Sequence, residues 1–75
     1  MNQFTKQQQS VYTYYVTNYV MLRVNTRYIQ QLMQEISGMS EASYRQSHFA
    51  LPKSEMLMVL QAVLNKIEAE NVAIL

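Results

Sequence analysis

The residues that decide the fold lie at positions 32–46 and read LMQEISGMSEASYRQ. Gly38, the only glycine of the chain, separates two segments whose apolar residues recur at helical spacing. A glycine after an amphipathic segment is typical of a helix end, because glycine easily adopts the positive φ that closes the last turn. Ser40 then offers a side-chain oxygen that can cap the next helix. The stretch therefore predicts two helices joined by a sharp corner at Gly38.

The segments on either side of this corner also have helical patterns. A helix that starts at Asn25 or Thr26 runs to Gly38, and its apolar face is formed by Ile29, Leu32, Met33 and Ile36. A short third helix is predicted over residues 41–48. Leu51, Pro52 and Lys53 interrupt the chain, and Ser54 is predicted to cap the last helix, residues 54–70.

The last helix has the most regular apolar stripe of the chain. The stripe consists of Met56, Val59, Leu60, Val63, Leu64 and Ile67. Leu57 and Ala62 make it wider than one side of a small domain needs. We therefore predict that this helix packs inside its own domain and also against a second copy, with the six stripe residues as the dimer interface.

The N-terminal segment allows two interpretations. Thr5 and Gln8 have capping-box spacing, which predicts a helix from Lys6 to about Arg23. Residues 11–24 are nevertheless rich in residue types that favour strands. A hairpin would need Thr17 and Asn18 as its turn, and that pair lacks the glycine that two-residue turns prefer. The helix is therefore favoured.

The composition predicts a small binding protein without catalytic chemistry. A chain of 75 residues fits one domain, residues 1–75, which buries only about 60% of its unfolded surface and gains stability from forming a homodimer. The chain has no cysteine, and its one histidine, His48, lacks nearby carboxylates by spacing. We therefore predict no catalytic residue, no metal site and no cofactor. Polar residues interrupt the longest apolar stretch, which favours a cytoplasmic protein that does not enter membranes.

Charge is distributed unevenly along the chain. The formal net charge is only +1, which gives little long-range attraction for a polyanion. Residues 1–34 nevertheless contain three basic residues and no acidic residue, whereas residues 55–75 contain three glutamates and one lysine. The N-terminal half is therefore the part that would face a phosphate backbone.

The corner at Gly38 resembles the turn of helix-turn-helix DNA-binding regulators. Gly38 and Met39 match the turn glycine and the apolar residue that fills the corner, and Tyr44 matches the buried residue of the second helix. The opening FTKQQQSVY at residues 4–12 is similar to the first helix of winged-helix repressors of the SOS-repressor type. Gln34 and Ser37 depart from the small apolar residues of that pattern, and no glycine-containing hairpin follows to form a wing.

This resemblance implies an all-α, four-helix, helix-turn-helix-like domain that binds duplex DNA as a dimer and regulates transcription. Its helix-turn-helix would span residues 26–48. The second helix would lie in the major groove, where Arg45 would pair with guanine and Gln46 with adenine. The residues assigned to base reading are Glu41, Arg45 and Gln46, with Ser40 and Ser43 as further DNA-binding residues in the groove. Those assigned to phosphates are Lys6, Arg23, Arg27 and Lys53.

Other interpretations of the same residues stay open. A glycine followed by a serine also occurs wherever one helix stops and another starts. In a ribbon-helix-helix repressor, residues 21–24 would be the strand and Arg23 would point into the groove, but the following helix is about one residue out of register.

The main alternative is a protein-binding inhibitor or adaptor of the phage or plasmid type, which binds its partner through the tyrosine-rich and C-terminal helices. For the six tyrosines, core and interface packing is favoured over a stacking platform for single-stranded nucleic acid.

Overall fold

The computed structural model describes the backbone of residues 4–20 and 26–74 and the side chains of residues 4–18 and 26–69. These residues form four α-helices and one π-helical segment. The helices are α1 (Lys6–Tyr15), α2 (Thr26–Gly38), α3 (Glu41–Gln46) and α4 (Lys53–Ile74), and the π-helical segment is Val16–Val20. No strand occurs among the described residues. The predicted all-α fold with four helices is therefore confirmed.

Helix α4 is the centre of the fold. It contains 22 residues, about 33 Å at 1.5 Å per residue, and α1, the π-helical segment and α2 all pack against it. The buried apolar residues are Ile29, Ile36, Tyr44, Leu51, Met56, Val59, Leu60, Val63, Leu64 and Ile67. Six of these ten residues belong to α4, so one long helix supplies most of the core.

The six stripe residues of α4 lie inside the single chain. None of them is more than 7% exposed. A side chain that its own chain encloses offers almost no surface to a second copy, so the burial of these six residues argues against them as a dimer interface, and the homodimer itself stays a prediction. The stripe is wide because α4 is covered by three neighbouring elements rather than one. Its outward side carries Met58, Gln61 and Asn65 instead.

The predicted capping box at the start of α1 is confirmed. The Thr5 hydroxyl accepts from the Gln8 backbone N–H at 3.1 Å, and the Gln8 side-chain oxygen accepts from the Thr5 N–H at 3.0 Å. The same Gln8 amide donates to the Glu55 carboxylate at 2.9 Å. Gln7 donates to the carbonyl of Ala50 at 2.6 Å. These bonds attach the start of α1 to the start of α4 and to the connection before it.

The chain after α1 is helical, so the hairpin alternative is wrong over the described residues. Thr17 and Asn18, the proposed turn, lie within the π-helical segment. The Asn18 side chain donates to the Tyr14 carbonyl at 2.7 Å. A side chain that bonds the carbonyl four residues back competes with the α-helical ladder, which accounts for the wider turn. Arg23 and the strand proposed at residues 21–24 lie outside the described residues.

The corner after α2 forms without positive φ at Gly38. Gly38 is the last residue of α2, and its φ is not positive. The prediction that Gly38 adopts a left-handed conformation is therefore wrong. The Met39 N–H donates to the Ile36 carbonyl at 3.1 Å, a three-residue step that tightens the last turn. Ser40 then caps α3, as predicted, by accepting from the Ser43 N–H at 3.1 Å. The chain therefore turns over Met39 and Ser40.

The left-handed residue lies ten positions later. His48, just after the C-cap of α3, has φ of 58°, a conformation that costs a side-chain-bearing residue about 1–2 kcal/mol. At the next helix, the Met56 N–H donates to the Pro52 carbonyl at 2.8 Å. Helix α4 thus begins at Lys53, and the prediction of Ser54 as its cap is wrong. Proline suits a helix start because its φ is fixed near the helical value.

Two single substitutions, one at Gly38 and one at His48, should each stabilise the protein. For Gly38→Ala we expect a gain of about 0.4–1 kcal/mol, since the backbone is helical and an added Cβ meets nothing within 4 Å. For His48→Gly we expect a gain of up to about 1 kcal/mol from relief of the left-handed strain. Urea unfolding followed by circular dichroism measures both. His48→Ala is the control, because alanine keeps the strained φ, and a destabilised Gly38→Ala protein would contradict the helical assignment.

Candidate nucleic-acid interface

Helix α3 presents a polar surface. Its exposed residues, with the cap before it, are Ser40, Glu41, Ala42, Ser43, Arg45 and Gln46. Tyr44 is the one buried residue of the helix, at 6% exposure. The five DNA-binding residues predicted to lie in the major groove therefore all lie on or next to one six-residue helix, which is about 9 Å long.

Tyr44 attaches α3 to the rest of the protein. Its ring stacks on Phe49 with the centroids 5.1 Å apart and the planes at 11°. Its hydroxyl donates to the carbonyl of Leu51. The connection between α3 and α4 is thereby held against the underside of α3. One aromatic side chain thus fixes this helix while its outer surface stays in solvent.

Lys53 connects the start of α4 to the turn before α3. Its ammonium donates to the Met39 carbonyl at 2.7 Å, and the side chain is half-buried. One of its three N–H donors is therefore used inside the fold. Lys53 and Arg45 both line an open groove of about 380 Å³ beside α3, together with Glu41 and the two stacked rings. This groove combines two cations with one carboxylate.

The other predicted phosphate contacts are spread over the molecule. Lys6 is exposed on α1 and Arg27 on α2, and Arg23 lies outside the described residues. Arg27 lines a shallow groove of about 230 Å³ with three glutamines of the same helix, Gln30, Gln31 and Gln34. The sequence pattern did not predict this groove, although steps of three and four residues from Arg27 place these glutamines on one helix face.

An aromatic groove on the other side of the α3–α4 connection was also missed. Tyr14 and Tyr15 of α1, together with His48 and Phe49, line an open groove of about 370 Å³. The two tyrosine rings meet edge to face with centroids 5.2 Å apart. More than 30 residues separate the two parts of this site along the chain, so no local spacing could have shown that they meet.

Two of the tyrosines are held in the neutral form. Burial raises the pKa of Tyr15, and the neighbouring Tyr28, Tyr14 and Tyr44 raise it further. Burial also raises the pKa of Tyr44, with a second contribution from the Glu41 carboxylate. Both phenols keep their protons at neutral pH, as any tyrosine does, and the raised pKa extends this neutral, hydrogen-bond-donating form to more alkaline pH.

Two further observations concern the described part of the chain. Its histidine and glutamate residues form no group of three or more that could hold a metal ion. None of its helices combines the length and the apolar character needed to cross a bilayer. Comparison of the chain with protein-family models, with curated proteins and with solved structures gave no match.

Proposed function

We propose that this protein binds duplex DNA with α3 in the major groove and regulates transcription. The observation that supports this proposal is the exposure of Arg45, Gln46 and Glu41 on a short helix that Tyr44 anchors from beneath. A helix that enters the major groove needs this combination, because base edges are read by side chains that leave the helix on its outer face.

Each exposed residue has a specific role in this proposal. The Arg45 guanidinium donates two hydrogen bonds to guanine, and the Gln46 amide pairs with adenine. Glu41 accepts from cytosine, while the Ser40 and Ser43 hydroxyls bond to either base edges or phosphates. Lys6, Arg23, Arg27 and Lys53 contact phosphates, which fixes the orientation but carries no sequence information.

Few phosphate contacts are available to one copy of the chain. With at most four phosphate contacts, a plot of the logarithm of the binding constant against the logarithm of the salt concentration should have a slope no steeper than about −3.6. A homodimer would double this number. Since the apolar stripe of α4 is internal, a second copy would have to use another surface.

Arg45→Ala is expected to remove most of the sequence preference. Loss of a bidentate contact to guanine corresponds to about 1–3 kcal/mol. This is a decrease of roughly 5- to 150-fold in the ratio of the affinity for the preferred duplex to the affinity for random duplex. After site selection from a random duplex pool, the ratio is measured by fluorescence anisotropy. Lys66→Ala is the control, because it removes an equal charge from exposed α4 surface and should leave the ratio unchanged.

Two outcomes would contradict the DNA-binding proposal. The first is an absence of duplex binding at low ionic strength, where phosphate contacts are strongest. The second is an Arg45→Ala protein whose sequence preference equals that of the parent.

A second candidate function is that of a protein-binding inhibitor or adaptor. The observation that favours it is the exposure of large side chains outside α3, namely Tyr28 at 42% and Met58 at 46%. Methionine on a surface suits an adaptable contact with another protein. Such a protein would show almost no salt-dependent binding to duplex DNA. Measuring duplex affinity at increasing salt concentration therefore distinguishes the two functions.

A further inference from the structure

The aromatic groove has the properties of a binding site that the proposed duplex contact does not use. Tyr14, which lines it, is 58% exposed, although burial of such a large ring would be favourable. Three further aromatic residues, Tyr15, His48 and Phe49, line the same groove. Its volume of about 370 Å³ lies at the lower end of the range for small-ligand pockets, about 300–1,000 Å³. It therefore suits one planar ring rather than a whole helix of a partner protein.

The lining of the groove contains no group that would repel an anionic partner. No carboxylate lines it, and residues 1–34, which include all of α1, contain no acidic residue. Exposed Lys6 lies one helical turn before Ser10, another residue of the groove lining. Phe49 and Ala50 line this groove and also the groove beside Arg45. A single strand with one base in the aromatic groove would therefore have Lys6 on the α1 side and Arg45 in the neighbouring groove that shares Phe49 and Ala50.

We propose that the aromatic groove binds single-stranded nucleic acid by stacking an unpaired base on Tyr14, with phosphates near Lys6 and Arg45. Stacking is available to any base, because every base has a π-face, and it needs no base-pairing edge. The Ser10 hydroxyl and the His48 imidazole, both exposed, can bond to the edge of the stacked base. The stacking position on Tyr14 is separate from the duplex contact of α3, since a base paired within a duplex cannot enter the groove, whereas Lys6 and Arg45 serve both proposals.

The test is the affinity of the protein for a fluorescein-labelled oligothymidylate, measured by anisotropy. We expect Tyr14→Ala to weaken binding about 5- to 150-fold, the range that corresponds to stacking of one base on an aromatic ring. Tyr14→Phe should bind like the parent, because it keeps the ring. Met58→Ala is the control, since it removes an exposed large side chain of α4 that does not line the groove. Circular dichroism of each variant checks that the fold is kept.

The same variants are also titrated with a duplex and with a proline-rich peptide, a class of ligand that aromatic grooves also recognise. The proposal is overturned if the parent does not bind the oligothymidylate or if Tyr14→Ala leaves its affinity unchanged. It is equally overturned if Tyr14→Ala weakens only peptide binding, or weakens duplex and single strand to the same extent. Arg45→Ala tested on the duplex reports separately on α3, so failure of one proposal is distinguishable from failure of the other.

Discussion

Replacing Leu60 with alanine is expected to lower the free energy of unfolding by about 2–5 kcal/mol. Leu60 is fully buried in α4, the helix on which α1, the π-helical segment and α2 pack. The substitution removes apolar contacts and leaves a cavity that its neighbours fill only in part. At about 0.05–0.15 kcal/mol per residue, the whole domain has roughly 4–11 kcal/mol of stability. The substitution should therefore remove a large part of this stability, and at the low end of the range it would unfold the protein at room temperature.

Urea unfolding followed by circular dichroism measures the effect of this substitution. Met58→Ala is the matched control, because Met58 lies two residues away on the same helix but is 46% exposed. Its effect should stay within about 0.5 kcal/mol. The experiment also tests whether the α4 stripe belongs to the single chain. If Leu60→Ala gave a stable monomer from a parent dimer, the stripe would be an interface and the internal packing described above would be incorrect.

Tyr44→Ala is expected to cost about 3–5 kcal/mol, in line with other large-to-small changes at buried aromatic residues. The variant loses both the stacking on Phe49 and the hydrogen bond to the buried Leu51 carbonyl. Tyr44→Phe keeps the ring, so it should cost only about 1–3 kcal/mol, the usual effect of leaving a buried acceptor without a donor. Thermal unfolding distinguishes these values. Equal stability of Tyr44→Phe and the parent would mean that the hydroxyl contributes nothing.

Tyr44 should also contribute to loss of stability at alkaline pH. Burial and the Glu41 carboxylate raise the pKa of Tyr44 in the folded protein above its ordinary value of 10.0. The unfolded chain therefore loses this proton first. The stabilisation is complete below the unfolded pKa and disappears as pH rises through the folded pKa. Tyr44→Phe should lack this part of the alkaline transition, whereas the part due to Tyr15, whose pKa burial also raises, should remain.

In the proposed function, the role of Tyr44 is to hold α3 in place rather than to contact DNA. If α3 reads DNA, Tyr44→Ala should weaken duplex binding although the exposed Arg45 and Gln46 are unchanged. Hydrogen exchange of the α3 backbone amides would show the loosening directly, since local opening precedes global unfolding. Unchanged protection of α3 in Tyr44→Ala would show that other contacts hold the helix.

Local sequence patterns were sufficient for the presence of the helices and for the starts of α1 and α3, but not for the start of α4. The Thr5 and Gln8 capping box and the Ser40 cap involve residues within three positions of each other, and the structure has both as predicted. The exposed face of α3 was predictable for the same reason, because one buried tyrosine in a six-residue helix leaves the other side chains in solvent. The backbone conformation of Gly38 was predicted incorrectly, because the local sequence does not distinguish a helical glycine from a left-handed one.

The sequence by itself determined that the chain is helical, where its apolar stripes lie and which polar residues α3 displays, since these depend on spacing within a few residues. Only the tertiary structure decided that the α4 stripe is enclosed by its own chain rather than by a second copy. It alone brought Tyr14 beside Phe49 in one groove and placed the strained φ at His48. These features depend on how distant segments pack around α4, and hydrophobic periodicity gives the direction of a buried face but not the identity of what covers it.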